Sequence, residues 1–381
     1  MIMVQNYPQI EQSDSEDYEK ARATKSTQTN KAAMSTEENQ VTTGKDPTQA
    51  VLSDSSLDKK YLCDYVINVA TGCRHGCKFC YVPSTPALRT RPEMLKDNAD
   101  VDNAQREWGK YVLYRDDIPD RLEGILNRKQ SWNDTDRGCG IVGISFATDC
   151  YMDGRAGEIT RDAVRILSNK QKYTRVLTRN PILALQDIDT FTEAGDFVTI
   201  GSSIPAMDAS EVGSIEPQAP SPQHRLRGLQ EFAEAGVQTF VSMSPTYPTQ
   251  SRSDLRSHLE RLATCDPNVI FHEPINPRGG NFEMTVEAAR DAGETELARQ
   301  LEQLRNREQW LSYSIEHFKA VQEIGEELDL PIHLWPDRQH VKYAESDVAT
   351  WLQAWKDRQS PEEFAGRNCP SKPMPEIPSS L

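Results

Sequence analysis

From residue 65 onward, short apolar runs alternate with longer amphipathic stretches, and this alternation restricts the fold more than any other feature of the 381-residue chain. Runs rich in Val, Ile, Thr and aromatic residues predict strands over Tyr65–Ala70, Ile141–Ala147, Tyr173–Thr178, Phe197–Ile204, Val237–Met243, Val269–His272 and Pro331–Trp335. Helical patterns fall between them: Ile159–Asn169, starting near Thr160; Pro181–Ala194, with a first-turn proline; Pro222–Ala235, ending at Gly236; Asp254–Ala263; and Trp310–Leu328. Repeated strand–helix units predict an α/β fold with a parallel sheet. No G-x-G-x-x-G run follows a predicted strand, so a partial or complete (β/α) TIM-type barrel is expected instead of a doubly wound sheet.

In such barrels chemistry sits where the strands end. That rule selects the cysteine run after the first strand, Thr148-Asp149-Cys150 after the second and Arg179-Asn180 after the third. Ser202-Ser203-Ile204-Pro205, Ser244-Pro245-Thr246 and Glu273-Pro274-Ile275-Asn276 follow the next three. The polar clusters with the most useful chemistry are thus expected at one mouth.

The cysteine run is Gly-Cys-Arg-His-Gly-Cys-Lys-Phe-Cys-Tyr-Val, residues 72–82, with Cys73, Cys77 and Cys80 at spacing C-x-x-x-C-x-x-C. Three thiolates from one tight loop can hold three irons of a [4Fe–4S] cube and leave the fourth iron open to a small-molecule cofactor. A zinc site usually takes four ligands, and His75, set between two of the cysteines, would strain to face the same metal. Disulfides fit poorly, because eight cysteines in a chain with no apolar N-terminal stretch and no run of about eighteen apolar residues suggest a cytoplasmic setting without a membrane span.

Composition narrows the partners. Residues 1–56 are polar, hold nine acids against five bases and are expected to form a disordered leader. The barrel domain is expected over 57–364, with an insertion at about 83–140 carrying one helix near Asp117–Gln130, and a proline-rich extended tail over 365–381. The insertion either covers the barrel mouth or packs outside it. Of the formal charge of −15, the leader contributes −4 and the remainder −11. This balance disfavours nucleic acid, whose binding modules usually carry a basic face.

Among the remaining candidates, Cys150 has a strand-end address, and a thiol near a carbon radical can donate a hydrogen atom. Cys63, Cys139, Cys265 and Cys369 have no such address and read as structural. Arg179 can pair with a carboxylate, and Ser202 or Ser203 can bond a ribose. His272 and Glu273 are adjacent on a strand and should face opposite ways, which leaves Glu273 with Asn276 as substrate contacts. The Glu- and Arg-rich stretch from Glu283 to Glu327 reads as a solvated helical face with i,i+4 pairs.

The cysteine loop, with Phe79 before its last cysteine, resembles the cluster loop of the radical S-adenosylmethionine (SAM) superfamily. With the pair Cys80-Tyr81 and with Cys150, it resembles the spore photoproduct lyase branch, which includes the related peptide spliceases. The resemblance implies a radical SAM barrel, a [4Fe–4S] cluster, SAM as cofactor, and Tyr81, Arg179 and Ser202 or Ser203 around SAM. It also implies a lyase that cleaves SAM reductively and uses the 5′-deoxyadenosyl radical for C–H abstraction and C–C cleavage. Two substrates follow from it: a ribosomally made precursor peptide, from which a tyrosine-derived fragment is excised, or thymine dimers in DNA. An electron donor such as a flavodoxin or ferredoxin and a separate leader-binding protein are the partners it implies.

Overall fold

In a computed structural model of the chain, the described residues are 41–57, 62–129, 131–132, 140–358 and 374–381. Eleven strands occur among them: β1 (Thr42–Lys45), β2 (Ser53–Asp54), β3 (Tyr65–Ile67), β4 (Ala70–Gly72), β5 (Tyr111–Tyr114), β6 (Val142–Ile144), β7 (Thr174–Thr178), β8 (Val198–Ser203), β9 (Gln238–Thr246), β10 (Pro267–Pro274) and β11 (Ile332–Leu334). The main sheet has the order β11-β10-β9-β8-β7-β6-β3-β2. Its successive pairs from β3 to β11 are parallel, and β2 joins β3 antiparallel at one edge. The edges β2 and β11 are not joined to each other, so the sheet is an open, partial barrel of the expected α/β kind.

The helices between the strands follow local signals. Asp153 caps the helix Gly154–Asn169 by accepting a hydrogen bond from the Ala156 amide, so the helix begins six residues before Thr160, where the apolar periodicity becomes visible. Ser251 and Asp254 form a capping box at the start of Arg252–Ala263. The expected single helix over Pro181–Ala194 is instead Pro181–Ala184, a 3₁₀ turn at Leu185–Asp187 and a second helix, Ile188–Ala194. Between sheet and helices lies a core that includes Leu229, Val241, Met243, Leu259, Ile270, Phe318 and Val321.

Three expectations are corrected. The first predicted strand divides at Asn68: β3 stays in the barrel, whereas β4 belongs to a separate sheet of order β1-β5-β4. The polar leader does not extend to residue 56, because Thr42–Lys45 pairs along the fully buried Tyr-Val-Leu-Tyr of β5, and backbone pairing stabilises a segment whose side chains give no apolar signal. Residues 1–40 lie outside the described residues. The Glu283–Glu327 stretch is more than a solvated face. Its helices bury Phe282, Val286, Leu297, Leu301, Trp310 and Tyr313 in one cluster, while pairs such as Arg305–Glu283 and Arg290–Glu302 lie outside.

Two helices without a sequence-derived expectation, Arg338–Tyr343 and Ser346–Asp357, close the domain. Trp351 and Trp355 of the second each donate an indole N–H to Gln322 Oε1 at 2.9 Å. Of the tail, residues 374–381 are described. Met374 and Ile377 pack on the core, and Gln322 Nε2 donates to the Pro375 carbonyl at 2.6 Å.

Candidate active site

The cysteine loop begins where β4 ends and is pinned on several sides. His75 places Nδ1 3.3 Å from the Gln218 carbonyl and Nε2 3.4 Å from Asp149 Oδ2. Arg74 Nε lies 2.7 Å from Asp153 Oδ2, the Lys78 amide donates to the Ile215 carbonyl at 2.9 Å, and Asn281 Nδ2 donates to the Phe79 carbonyl at 2.7 Å. At Gly76 (φ 61°) the loop meets Gly109 (φ 99°) so closely that a Cβ on Gly109 would lie 2.8 Å from the Gly76 Cα. His75 thereby ties the loop to the residues around it.

Cys73, Cys77 and Cys80 all line one cavity of about 510 Å³. All three are free thiols, as are Cys63, Cys150 and Cys265; Cys139 and Cys369 lie outside the described residues. Burial and then the Asp149 charge push the Cys73 thiol well above its ordinary range. Burial raises Cys77 to about 12 and Cys80 to about 11, with Arg179 opposing the rise in both. These thiols stay protonated until a metal displaces the protons. Among the described residues, no group of three or more His, Cys, Asp or Glu side chains is set as the ligands of a metal ion. Three neighbouring thiols from one pinned loop, opening on a shared cavity, fit a cluster in which each sulfur meets its own iron.

Asp149 is the hub beside this loop. Its carboxylate accepts from the Tyr151 amide at 2.9 Å, Thr178 Oγ1 at 2.7 Å and the Arg179 amide at 2.7 Å. Burial opposes its ionisation, but His75 and these donors outweigh burial and hold it well below the usual carboxylate range. Arg179 donates Nε to Glu216 Oε2 at 2.8 Å, Arg225 Nη1 lies 2.8 Å from the same oxygen, and Cys77 Sγ lies 4.0 Å from it. Glu216 is also held below its ordinary range: burial opposes ionisation and the two guanidiniums prevail.

The other expected residues divide. Tyr81, Arg179, Ser203, Glu273 and Asn276 line the cavity. Tyr81 is 55% exposed, and its hydroxyl donates to the Phe146 carbonyl at 3.5 Å. Ser202 does not line the cavity: Gly201 abuts the Phe240 ring inside the barrel, so Ser203 shares that face and Ser202 takes the other. Cys150, expected as a hydrogen-atom donor, stands apart from these. It is fully buried, its thiol donates to the Leu177 carbonyl at 3.4 Å, and the cavity wall does not include it.

Sequence reasoning missed Glu216, Arg225, Asn281 and Trp108 as parts of the site. None stands at a strand end, the signal used to select candidates. The insertion's contribution is now specific, since Trp108 lines the cavity. Part of the lining is apolar: Phe146, Leu177, Phe240, Phe271 and Trp335, with Phe271 and Trp335 stacked at 4.4 Å between centroids.

Among the described residues, no helix is long and apolar enough to cross a membrane. An uncharacterized protein of Acidianus two-tailed virus is 28% identical over 238 residues, 61% of this chain and 74% of that protein. One from Methanocaldococcus jannaschii is 24% identical over 185 residues, 48% of this chain and 61% of that protein. Among solved structures, spore photoproduct lyase complexed with dinucleoside spore photoproduct gives a TM-score of 0.46 at 16% identity, covering 65% of each chain. Streptococcus suis SuiB bound to S-adenosylmethionine gives 0.43 at 10% identity, covering 74% of this chain and 52% of that one. The sequence profile of the radical SAM superfamily matches residues 67–262, just over half of the chain and all three loop cysteines; the protein belongs to that superfamily, whose enzymes use a [4Fe–4S] cluster and SAM.

Proposed function

We propose that this radical SAM enzyme abstracts hydrogen from an aromatic residue of a ribosomally made precursor peptide and cleaves a C–C bond there, excising a tyrosine-derived fragment. One observation carries the preference for a peptide. The two arginines that line the cavity are both committed to carboxylates, Arg179 to Glu216 at 2.8 Å and Arg278 to Asp337 at 2.5 Å. What Arg179 still offers through its terminal nitrogens would go to SAM, so the cavity has little left for a polyanion, whose binding draws on unpaired basic side chains. The apolar part of the lining, Phe146, Phe240, Phe271 and Trp335, suits a flat, uncharged group.

Within this reading each residue has a task. Cys73, Cys77 and Cys80 would hold the cluster, which when bound with SAM supplies a carbon radical able to break an unactivated C–H bond. Arg179, held by Glu216 through Nε, would present its terminal nitrogens to the SAM carboxylate. Ser203 would bond the ribose and Tyr81 would lie near the adenine. Glu273 and Asn276 would orient the substrate, and the aromatic wall would exclude water and stray hydrogen donors. Cys150 has no task at the cavity surface.

The apolar wall would also receive stacked pyrimidines, so repair of thymine dimers is the second reading. Anaerobic incubation of the reconstituted protein with SAM, a reductant such as reduced flavodoxin, and either a neighbouring-gene precursor peptide with its leader-binding protein or dimer-containing DNA separates the two. Loss of a tyrosine-derived mass from the peptide is expected. Dimer reversal with an unchanged peptide mass would overturn the proposal.

A further inference from the structure

Acids outnumber bases by 58 to 43 in the chain, yet residues 65–92, which hold the cysteine loop, contain no acid and four bases: Arg74, Lys78, Arg89 and Arg91. Two of the four are engaged, Arg74 with Asp153 at 2.7 Å and Arg91 with Asp46 at 3.4 Å. Lys78 and Arg89 are not, and the insertion adds Arg106 and Lys110. Lys78 is partly exposed, the other three are exposed, and none of the four has an ion-pair partner among the described residues. They share one neighbourhood. Gly109, next to Lys110, meets Gly76 of the cysteine loop, and Ser84 Oγ donates to Gln105 Oε1 at 2.7 Å, which ties the segment before Arg89 to the turn that carries Arg106. The acids of that turn have other tasks: Glu107 Oε1 accepts from the Asp102 and Asn103 amides at 2.9 and 2.7 Å, and Asp102 pairs with Lys96 at 2.9 Å. Cys73, Cys77 and Cys80 line the cavity, whereas Lys78, Arg89, Arg106 and Lys110 do not.

Unpaired cations on an otherwise acidic surface repel nothing anionic that approaches them in the right orientation, and they steer it there. A substrate must enter the cavity, but an electron carrier need only come close to the cysteine loop. We infer that Lys78, Arg89, Arg106 and Lys110 form the docking face for a small one-electron carrier protein with an acidic surface. One electron would pass there from the reduced carrier, which is oxidised, to the cluster held by Cys73, Cys77 and Cys80, which is reduced. Electron-transfer encounters are small and weak, so a few charges bordering the loop suffice. The acidic remainder of the chain disfavours other orientations by like-charge repulsion. The inference rests on the assignment of these cysteines as cluster ligands, and it holds whichever substrate the enzyme takes.

The test uses the full-length protein reconstituted anaerobically, with iron content measured first and cluster reduction followed by stopped-flow absorbance. Arg89→Gln, Arg106→Gln and Lys110→Gln combined remove three of the four charges and leave the cysteine loop untouched. At low salt the triple variant is expected to accept electrons from reduced flavodoxin about tenfold more slowly than the parent. The parent's rate should fall as salt is raised and the variant's should hardly change, while dithionite should reduce both equally fast. Binding is read separately, by NMR of ¹⁵N-labelled flavodoxin, whose signals the parent should broaden at low salt and the variant should not. Equal flavodoxin rates with equal salt dependence, or a matching slowdown with dithionite, would overturn the inference. So would binding of duplex DNA that the triple variant loses while its reduction by flavodoxin stays as in the parent, since that result assigns the face to nucleic acid. A parent protein that loads no cluster would instead refute the ligand assignment.

Discussion

Arg179 and Arg225 share one carboxylate: the Glu216 oxygen that takes Arg179 Nε at 2.8 Å also lies 2.8 Å from Arg225 Nη1, and both Glu216 and Arg225 are fully buried as side chains. A buried acid between two guanidiniums fixes the angle at which Arg179 enters the site. Removing its charge leaves Arg225 uncompensated in the interior. Glu216→Gln is expected to destabilise the fold by about 3–5 kcal/mol, the usual cost of breaking a buried pair from one side. It should also weaken SAM binding. Urea unfolding and calorimetric titration of SAM check the two effects separately.

Strand alternation separates two neighbours that the sequence treats alike. Ser203 lines the cavity and Ser202 faces the other side of the sheet. Ser203→Ala should weaken SAM binding by up to about tenfold, the worth of one hydrogen bond. Ser202→Ala should leave it unchanged. Equal effects from the two variants would refute the assigned facing of β8.

Cys150 sits behind the wall with its thiol on the Leu177 carbonyl. Cys150→Ala is expected to leave both SAM cleavage and the product distribution as in the parent, while lowering stability by about 1 kcal/mol for the lost packing and hydrogen bond. A changed product pattern at unchanged SAM turnover would return the thiol to the reaction.

Acid should unfold the protein in two stages. His258 and His333 are pushed down to about 3 and His317 to about 4 by burial, and His272 is driven well below its ordinary value. Their unfolded forms take protons below about pH 6.5 while the folded forms do not. The unfolded state therefore binds more protons, and stability falls as pH drops from about 6.5 toward the folded values, by about 1.4 kcal/mol per pH unit for each histidine. Asp149 and Glu216 have depressed values. Their contribution is present above the ordinary carboxylate range and is lost as pH falls below about 4. Urea midpoints between pH 3 and 8 should show both limbs, and His258→Gln with His317→Gln should flatten the upper one.

The cysteine motif was legible because its information is local: three thiols within eight residues remain neighbours in almost any tight loop. The βα rhythm was legible because each strand and helix carries its own period, and most predicted elements stand within a few residues of their observed ends. The β1 strand was hidden, since Thr42–Lys45 has polar side chains and gains its order from the backbone of β5. Glu216 was hidden for a different reason. It meets Cys77 across 139 residues of chain, and nothing near it in sequence marks that meeting.

The chain by itself determined the class of chemistry and the barrel that carries it, because ligand spacing and hydrophobic period are written along a short stretch. Only the tertiary structure decided which candidates face the reaction. It set Ser203 inside and Ser202 outside, moved Cys150 behind the wall, and brought Trp108 and Glu216 against the cysteine loop. The reason is physical: facing depends on register and on long-range packing, and both are settled when the sheet assembles against its core.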